Sequence, residues 1–156
     1  MIKKITILLL AGIMCITGTL YQNMVVHAQE PVSVDIEFSE LLTDGALIAY
    51  ASPTDNRGVY YASGMSSIND AGGGKIAWGG ATHAARTCKV SVNAIVERLQ
   101  NGSWARVTSA SNTVASGLVA AVSKTTLVGS GYYYRVRCQH HAATDYSSSF
   151  TNALYM

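Results

Sequence analysis

The stretch that decides the fold is residues 88–107, CKVSVNAIVERLQNGSWARV. Its first half alternates between two sets of side chains with a period of two, which is the period of a β-strand. The set predicted to face inward is Cys88, Val90, Val92, Ala94 and Val96. The set predicted to face outward is Lys89, Ser91, Asn93, Ile95 and Glu97. A strand with one buried and one solvated face is typical of an antiparallel sheet.

Asn101 and Gly102 predict where this strand turns back. Both residues tolerate positive φ, and Asn-Gly between two strand-like runs is typical of a two-residue hairpin. Such a turn sets the following cross-strand pairs: Leu99 with Trp104, Glu97 with Arg106, and Val96 with Val107. A three-residue loop would place Arg98 against Arg106, which like-charge repulsion disfavours.

The rest of the chain from residue 57 onward also has the pattern of strands and turns. Further strands are predicted at residues 75–83, 104–111, 118–123, 132–141 and 149–155, with a short one near 59–61. Turn-rich stretches are predicted at 70–74, 109–117, 129–131 and 144–148. About seven short strands in about 100 residues predict an all-β fold, an immunoglobulin-like antiparallel β-sandwich.

Cys88 and Cys138 both belong to the apolar faces of their strands. The simplest prediction is one disulfide between the two sheets, while two reduced thiols remain the alternative. In immunoglobulin domains a Tyr stands two residues before the second Cys, but here that position is Val136, and the nearest candidates are Tyr132 and Tyr134. A nucleophilic cysteine paired with a histidine is disfavoured, because both cysteines are predicted to face inward.

Residues 1–28 are predicted to be a secretory signal peptide. Lys3 and Lys4 precede a twelve-residue, mainly apolar run at 5–16, and small residues lead to a predicted cut after Ala28. A retained transmembrane helix is the weaker alternative, because a span needs about 20 apolar residues. We therefore expect an extracellular product that meets the membrane only through its signal peptide.

Removal of the signal leaves nine basic and nine acidic residues, which are unevenly distributed. Residues 29–56 hold six acidic and no basic residues, and residues 57–156 hold the nine basic ones. The first segment is therefore predicted to be an acidic extension, either flexible or folded back on a basic face of the β domain at 57–156. Apolar residues alternate with polar ones around Val34 and Ile36, so part of the extension could add an edge strand.

Motifs for catalysis, metals and cofactors are not found. Gly72-Gly73-Gly74-Lys75 lacks the first Gly and the final Ser or Thr of a phosphate loop, so it is interpreted as a turn. The β domain offers three carboxylates, Asp70, Glu97 and Asp145, which makes a hydrolase hard to build. We expect no enzyme activity, no cofactor, no metal site and, with no basic excess in the mature chain, no nucleic-acid partner.

A binding face is the remaining functional prediction. Tyr133, Arg135, Arg137 and His141 share the outward face of one predicted strand, and Trp104 is predicted to be exposed nearby. Arginines and aromatic rings together are common in interfaces and suit an anionic cell-wall polymer, a glycan or a protein partner. The alternative is that these side chains only stabilise the sheet by cross-strand pairing. A toxin-like product with an acidic pro-arm is a second functional alternative, and a small hydrolase a third.

Several short patterns recur in one order along the β domain. They are RGVY at 57–60, GKI at 74–76, VER at 96–98, NGSW at 101–104 and GYYYRVR at 131–137. In these the chain resembles a group of small exported proteins of Gram-positive, mostly clostridial, bacteria that are known as a domain of unknown function. The resemblance implies an exported bacterial protein and implies no activity or catalytic residue.

Overall fold

The computed structural model describes residues 33–42, 44–51 and 58–156, and this part of the chain is almost entirely antiparallel β-structure. The strands are β1 (Ser33–Asp35), β2 (Leu47–Ala51), β3 (Tyr61–Gly72), β4 (Lys75–Gln100), β5 (Ser103–Leu127), β6 (Tyr133–Ala142), β7 (Asp145–Phe150) and β8 (Leu154–Tyr155). A short 3-10 helix spans Phe38–Leu42, and no α-helix occurs within the described ranges. The predicted all-β class is confirmed. No helix in these ranges is long and apolar enough to cross a membrane.

Two long strands, β4 with 26 residues and β5 with 25, run through both layers of the molecule. The first layer has the order β1, second half of β5, first half of β4, β3, β2. The second layer joins the first half of β5, the second half of β4, β6, and then β7 and β8. The prediction of a turn-rich stretch at 109–117 is wrong, because the Ser, Asn and Thr residues there continue β5 as an edge strand. Register irregularities around Cys88, where Gly117 lies opposite, mark the passage between the layers.

All eight described strands belong to one antiparallel sheet, and its two halves, the layers, close over a single apolar core. Its largest fully buried side chain is Trp78, whose Nε1 donates to Thr126 Oγ1 at 2.7 Å. Gly80 and Gly64 let the layers approach, since a Cβ at Gly80 would overlap Cys138 Sγ and one at Gly64 would overlap the His140 ring. The second layer therefore rests its side chains directly on first-layer backbone.

The Asn101–Gly102 hairpin forms as predicted. Asn101 has φ 49° and Gly102 φ 77°, as a type I′ turn requires. The predicted pairs Leu99 with Trp104 and Glu97 with Arg106 are confirmed. The third pair is wrong: Val96 lies opposite Thr108, because a bulge next to Glu97 shifts the register by one residue.

The predicted disulfide is not present, since Cys88 and Cys138 are both free thiols in the described structure. Cys138 pairs with Ala94, six residues along β4 from Cys88. Six residues of extended strand span about 20 Å, whereas the Cα atoms of a disulfide lie about 4.4–6.8 Å apart. Alternation predicted the faces of both cysteines, but it does not give their positions along the sheet. Cys138 Sγ instead donates to the Gly79 carbonyl at 3.6 Å, and burial raises the pKa of this thiol.

Tyr134 replaces the tyrosine that is missing at position 136. Its side chain is buried, and its hydroxyl donates to the Gly129 carbonyl at 2.8 Å, five residues upstream. This bond fixes the entry of the chain into β6.

The acidic segment 33–42 lies on the first layer. Ser33–Asp35 pairs with Lys124–Thr126 of β5, which confirms that part of this segment adds an edge strand. The 3-10 helix crosses the back of the layer, where Leu41 is fully buried and its carbonyl accepts from Ser67 Oγ at 3.2 Å. The face beneath carries mainly small residues, with Met65 paired to Ala81; the small residues are Ser67, Ala77, Gly79, Ala81 and Ser123. The segment thus folds back on a small-residue face, with one ion pair to the β domain, Asp35 to Lys124 at 2.5 Å. The predicted signal peptide and its cut lie outside the described residues.

Candidate binding face

The outward side of the second layer carries the predicted binding residues, and we call it the outer face. Antiparallel register places Glu97 of β4 between Arg106 of β5 and Arg135 of β6. Because directly paired residues point to the same side of a sheet, each row adds further side chains to this surface. The main members of the outer face are Glu97, Trp104, Tyr133, Arg135, Arg137, Phe150 and Tyr155.

Glu97 bridges two arginines of the same strand. Arg135 Nε donates to Glu97 Oε2 at 2.7 Å, and Arg137 Nε donates to Glu97 Oε1 at 2.9 Å. The Glu97 side chain is only 8% exposed, so the two ion pairs offset the cost of burying its carboxylate. The three groups together carry one net positive charge, and each guanidinium uses Nε, one of its five N–H donors, for the bridge.

Arg135 is also held between two aromatic rings. Its guanidinium carbon lies 4.3 Å from the centroid of Trp104 and 5.3 Å from that of Phe150. Arginine over an aromatic face gains a cation–π attraction, and the planar group stacks well. The side chain is therefore fixed by a carboxylate and two rings before any partner arrives.

A pair of tyrosines extends the outer face toward the C-terminus. The Tyr133 and Tyr155 rings lie 4.9 Å apart at an angle of 57°. Both are exposed, although each ring covers part of the other. Tyrosines of this kind offer an apolar ring and a polar hydroxyl to a partner.

His141 lies at the other end of the β6 row. It is exposed and pairs with Tyr146 of β7, six residues along β6 from Arg135. At about 3.3 Å per residue this separation is about 20 Å. The structure therefore brings Trp104, Arg135 and Arg137 together and sets Tyr133 beside them, but it places His141 apart.

His140, the neighbour of His141 in the chain, is buried and has a structural role. Thr82 Oγ1 donates to the Ser91 carbonyl at 2.9 Å, so its contact with His140 Nδ1, also 2.9 Å, makes Nδ1 the proton donor. Nε2 then accepts from Ser149 Oγ at 2.8 Å. Burial, and secondly the nearby His141, lowers the pKa of His140 to about 4. The ring is neutral in ordinary conditions and sealed from solvent, unlike a catalytic base.

The sequence does not predict three features of the outer face, namely the bridging role of Glu97 and the membership of Phe150 and Tyr155. Glu97 was assigned to Arg106, which does lie opposite, but Arg106 bonds Ser109 while Glu97 binds the two arginines of β6. Phe150 and Tyr155 were placed in one strand, 149–155, whose role was not recognised. The pairing of β6 with β4, β7 and β8 decides all three, and short-range patterns carry no signal for it. Within the described ranges, no three or more His, Cys, Asp or Glu side chains group closely enough to hold a metal ion.

No protein-family model matches the chain, and no curated protein matches it. Among solved structures, the solution structure of CsgH from R. palustris is similar over 53% of this chain and 83% of that chain, with 15% sequence identity and a TM-score of 0.37. A TM-score this low does not establish a common fold.

Proposed function

We propose that this protein is a secreted, non-enzymatic binding module whose outer face contacts an anionic polymer of the Gram-positive cell surface. The observation that carries the proposal is the Arg135 stack. A guanidinium held by Glu97, Trp104 and Phe150 is a pre-organised donor group, and pre-organisation lowers the entropic cost of binding.

The surroundings of the stack support binding over a purely structural role. A cross-strand pair that only stabilises the sheet would not require Phe150, Tyr133 and Tyr155 to remain open to solvent, yet all three are at least 46% exposed. Exposed aromatic residues gathered on one face are uncommon unless they meet a partner. The net positive charge of the Glu97–Arg135–Arg137 group favours an anionic ligand.

The position of the acidic segment favours a module that can bind its ligand with residues 33–42 still attached. Residues 33–42 cover the first layer and leave the outer face open. Proteolytic removal of this segment is therefore not needed to expose the arginines, so the pro-arm alternative gains no support here.

The test is retention of the mature chain, residues 29–156, on isolated Gram-positive cell walls. Trp104→Ala and Tyr133→Ala should each weaken retention about tenfold, equivalent to about 1.4 kcal/mol. The matched control is Leu118→Ala, which removes an exposed apolar side chain at the bend between the layers. Equal retention of all three variants and the parent would remove the outer face from the proposal.

The arginines need a compensated variant, because removing both would leave Glu97 without its partners. Arg135→Ala plus Arg137→Ala is therefore built together with Glu97→Gln, and the control is Glu97→Gln alone. The triple variant should lose wall retention while its melting temperature stays near that of the control. Export is tested by intact mass of the secreted product, which should begin at Gln29.

A further inference from the structure

An open groove lies beside the outer face, where the edge of β2 meets the outward side of β6 and β7. Its volume is about 610 Å³. We call it the edge groove; its walls are Tyr50, Tyr146 and Phe150, and its floor is Arg137, Gln139 and His141. A concave site with aromatic walls and a few convergent polar groups is the usual form of a ligand site.

Strand register builds the floor. Arg137, Gln139 and His141 alternate along the outward side of β6, and each has a β7 neighbour in the same row: Phe150, Ser148 and Tyr146. Behind the groove, the Tyr61 hydroxyl donates to the Ala51 carbonyl at 3.0 Å and also bonds the Ser147 side chain. This hydroxyl links β2 to β7, so the strands that carry Tyr50 and Tyr146 are held at a fixed separation.

The walls offer unusually open aromatic rings. Tyr146 is 75% exposed and Tyr50 is 73% exposed. The two rings rise from different layers of the molecule and face one groove, a placement that folding alone does not require. Flat rings with a hydroxyl at the tip suit ligands that combine apolar C–H faces with polar rims.

The floor is rich in hydrogen-bond donors and has no carboxylate. Gln139 Oε1 already accepts from Asn93 Nδ2 at 2.9 Å, which leaves the Gln139 amide N–H groups to meet a ligand. Arg137 uses Nε for Glu97 and has four further N–H donors. Among the residues that the structure describes, no Asp or Glu lines the groove. The complementary ligand is therefore rich in acceptor oxygens and negatively charged.

The backbone distinguishes a sugar chain from a peptide at this floor. Peptides commonly dock on sheets by adding a strand through main-chain hydrogen bonds. Here the floor strand β6 is paired with β4 on one side and β7 on the other, so its main-chain groups are already used. On the floor strand, recognition therefore comes from side chains, with rings against C–H faces and donors toward carboxylate and hydroxyl oxygens. Strands β2 and β7 each pair on one side only, so strand addition at their free edges is the peptide alternative that the titration below tests.

We propose that the edge groove binds a carboxylate-bearing oligosaccharide, of the uronic-acid class. This inference rests on the proposal that the protein is a binding module, but it assigns the sugar to residues other than Trp104 and Tyr133. The outer face would hold the polymer at one end of the β6 row, and the groove would select its acidic sugars at the other.

The test is calorimetric titration of the mature chain with an oligomer of galacturonic acid, the neutral galactose oligomer of equal length, and a Glu-rich hexapeptide. Binding of the acidic sugar should exceed binding of the other two at least tenfold. Tyr146→Ala and Tyr50→Ala should each weaken it about tenfold. The control Tyr132→Ala, which removes an exposed tyrosine outside both the groove and the outer face, should leave it unchanged. Stronger binding of the hexapeptide, or equal binding of both sugars, would overturn the proposal.

The two proposals fail in different ways. If Trp104→Ala abolishes wall retention while the acidic sugar does not bind, the outer face stands and the groove assignment is wrong. If the sugar binds and Tyr146→Ala removes it while Trp104→Ala leaves wall retention intact, the groove stands and the outer face is wrong. Thermal melts of each variant show that a lost interaction is not a lost fold.

Discussion

The first half of β4 and its second half differ in what covers them, although they belong to one strand. In the first half, Ala77 to Thr82 are buried on both sides, because one side meets the core and the other meets the 3-10 helix around Leu41. In the second half, Val90 to Val96 bury one side in the core, while Glu97 and its arginines look outward. A strand is covered where its outward residues are small and stays open where they are long and polar.

This contrast explains how 128 residues after the predicted cut can make both a stable core and an open surface. Because Gly79 and Ser67 have small side chains, the 3-10 helix packs close to the backbone of the sheet there. On the outward side of the second layer, the large side chains of Arg135 and Trp104 occupy this space, so no helix of the described residues packs close to the sheet. The covered layer supplies stability, and the open layer supplies the surface for which we propose binding.

The largest expected effect comes from filling the space between the layers. Gly80→Ala puts a Cβ into Cys138 Sγ and near the Met65 carbonyl, and should lower the free energy of unfolding by about 3 kcal/mol or more. Urea denaturation measures it. Gly129→Ala is the control, because its Cβ would meet only ordinary contacts beginning at 3.6 Å. A loss no larger than that of the control would show that the layers do not pack as closely as described.

The next effect concerns pH and the buried His140. Its pKa is lowered from 6.5 to about 4 in the folded protein, so the unfolded chain takes up the proton first. Stability from this group is present above pH 6.5 and is lost as the pH falls toward 4, by about 3 kcal/mol in total. His140→Gln should flatten that part of the curve of unfolding free energy against pH, whereas His141→Gln, the exposed neighbour, should not. An unchanged slope in His140→Gln would contradict the buried, neutral ring.

A smaller effect tests the open layer. Arg135→Met plus Arg137→Met leaves Glu97 without partners and should cost about 2 kcal/mol, a value reduced because both arginines are partly exposed. Adding Glu97→Gln should restore part of that loss. If the added change destabilises further, the carboxylate is not held by these two arginines.

The smallest effect tests how the acidic segment is attached. Asp35→Asn should change stability by less than about 0.5 kcal/mol, since the Asp35 side chain is 84% exposed and surface ion pairs contribute little. Protease protection of residues 33–42 should also be the same at low and high salt. Leu41→Ala, which removes the buried anchor, is the positive control and should release the segment. Salt-dependent release would instead favour attachment through charge.

Local patterns predicted the parts of this fold that depend on neighbouring residues. The Asn101–Gly102 turn, the Glu97–Arg106 pairing and the inward faces of β4 and β6 follow from turn chemistry and alternation, and all are confirmed. Strand β3 was missed, since its sequence at 61–72 is rich in Gly and Ser and lacks alternation; its residues 64–68 are instead buried on both faces. The continuity of β5 was missed for a similar reason.

Long-range pairing could not be predicted in the same way. The disulfide prediction failed because the register between β6 and β4 is set by the whole sheet and not by the local sequence. The clustering of Trp104, Arg135 and Arg137 was predicted from the sequence, whereas the bridging position of Glu97, and Phe150 as the second ring on Arg135, depend on which strands lie side by side.

The proposed function requires that the second layer, and not the covered first layer, meets the ligand. Hydroxyl-radical footprinting of the mature chain, with and without Gram-positive wall polymer, tests it directly. Binding should reduce the oxidation of Trp104, Tyr133 and Tyr155 and should leave that of Leu42 and Leu127 in the first layer unchanged. Protection of Leu42 and Leu127 with unaltered oxidation of Trp104 would contradict it.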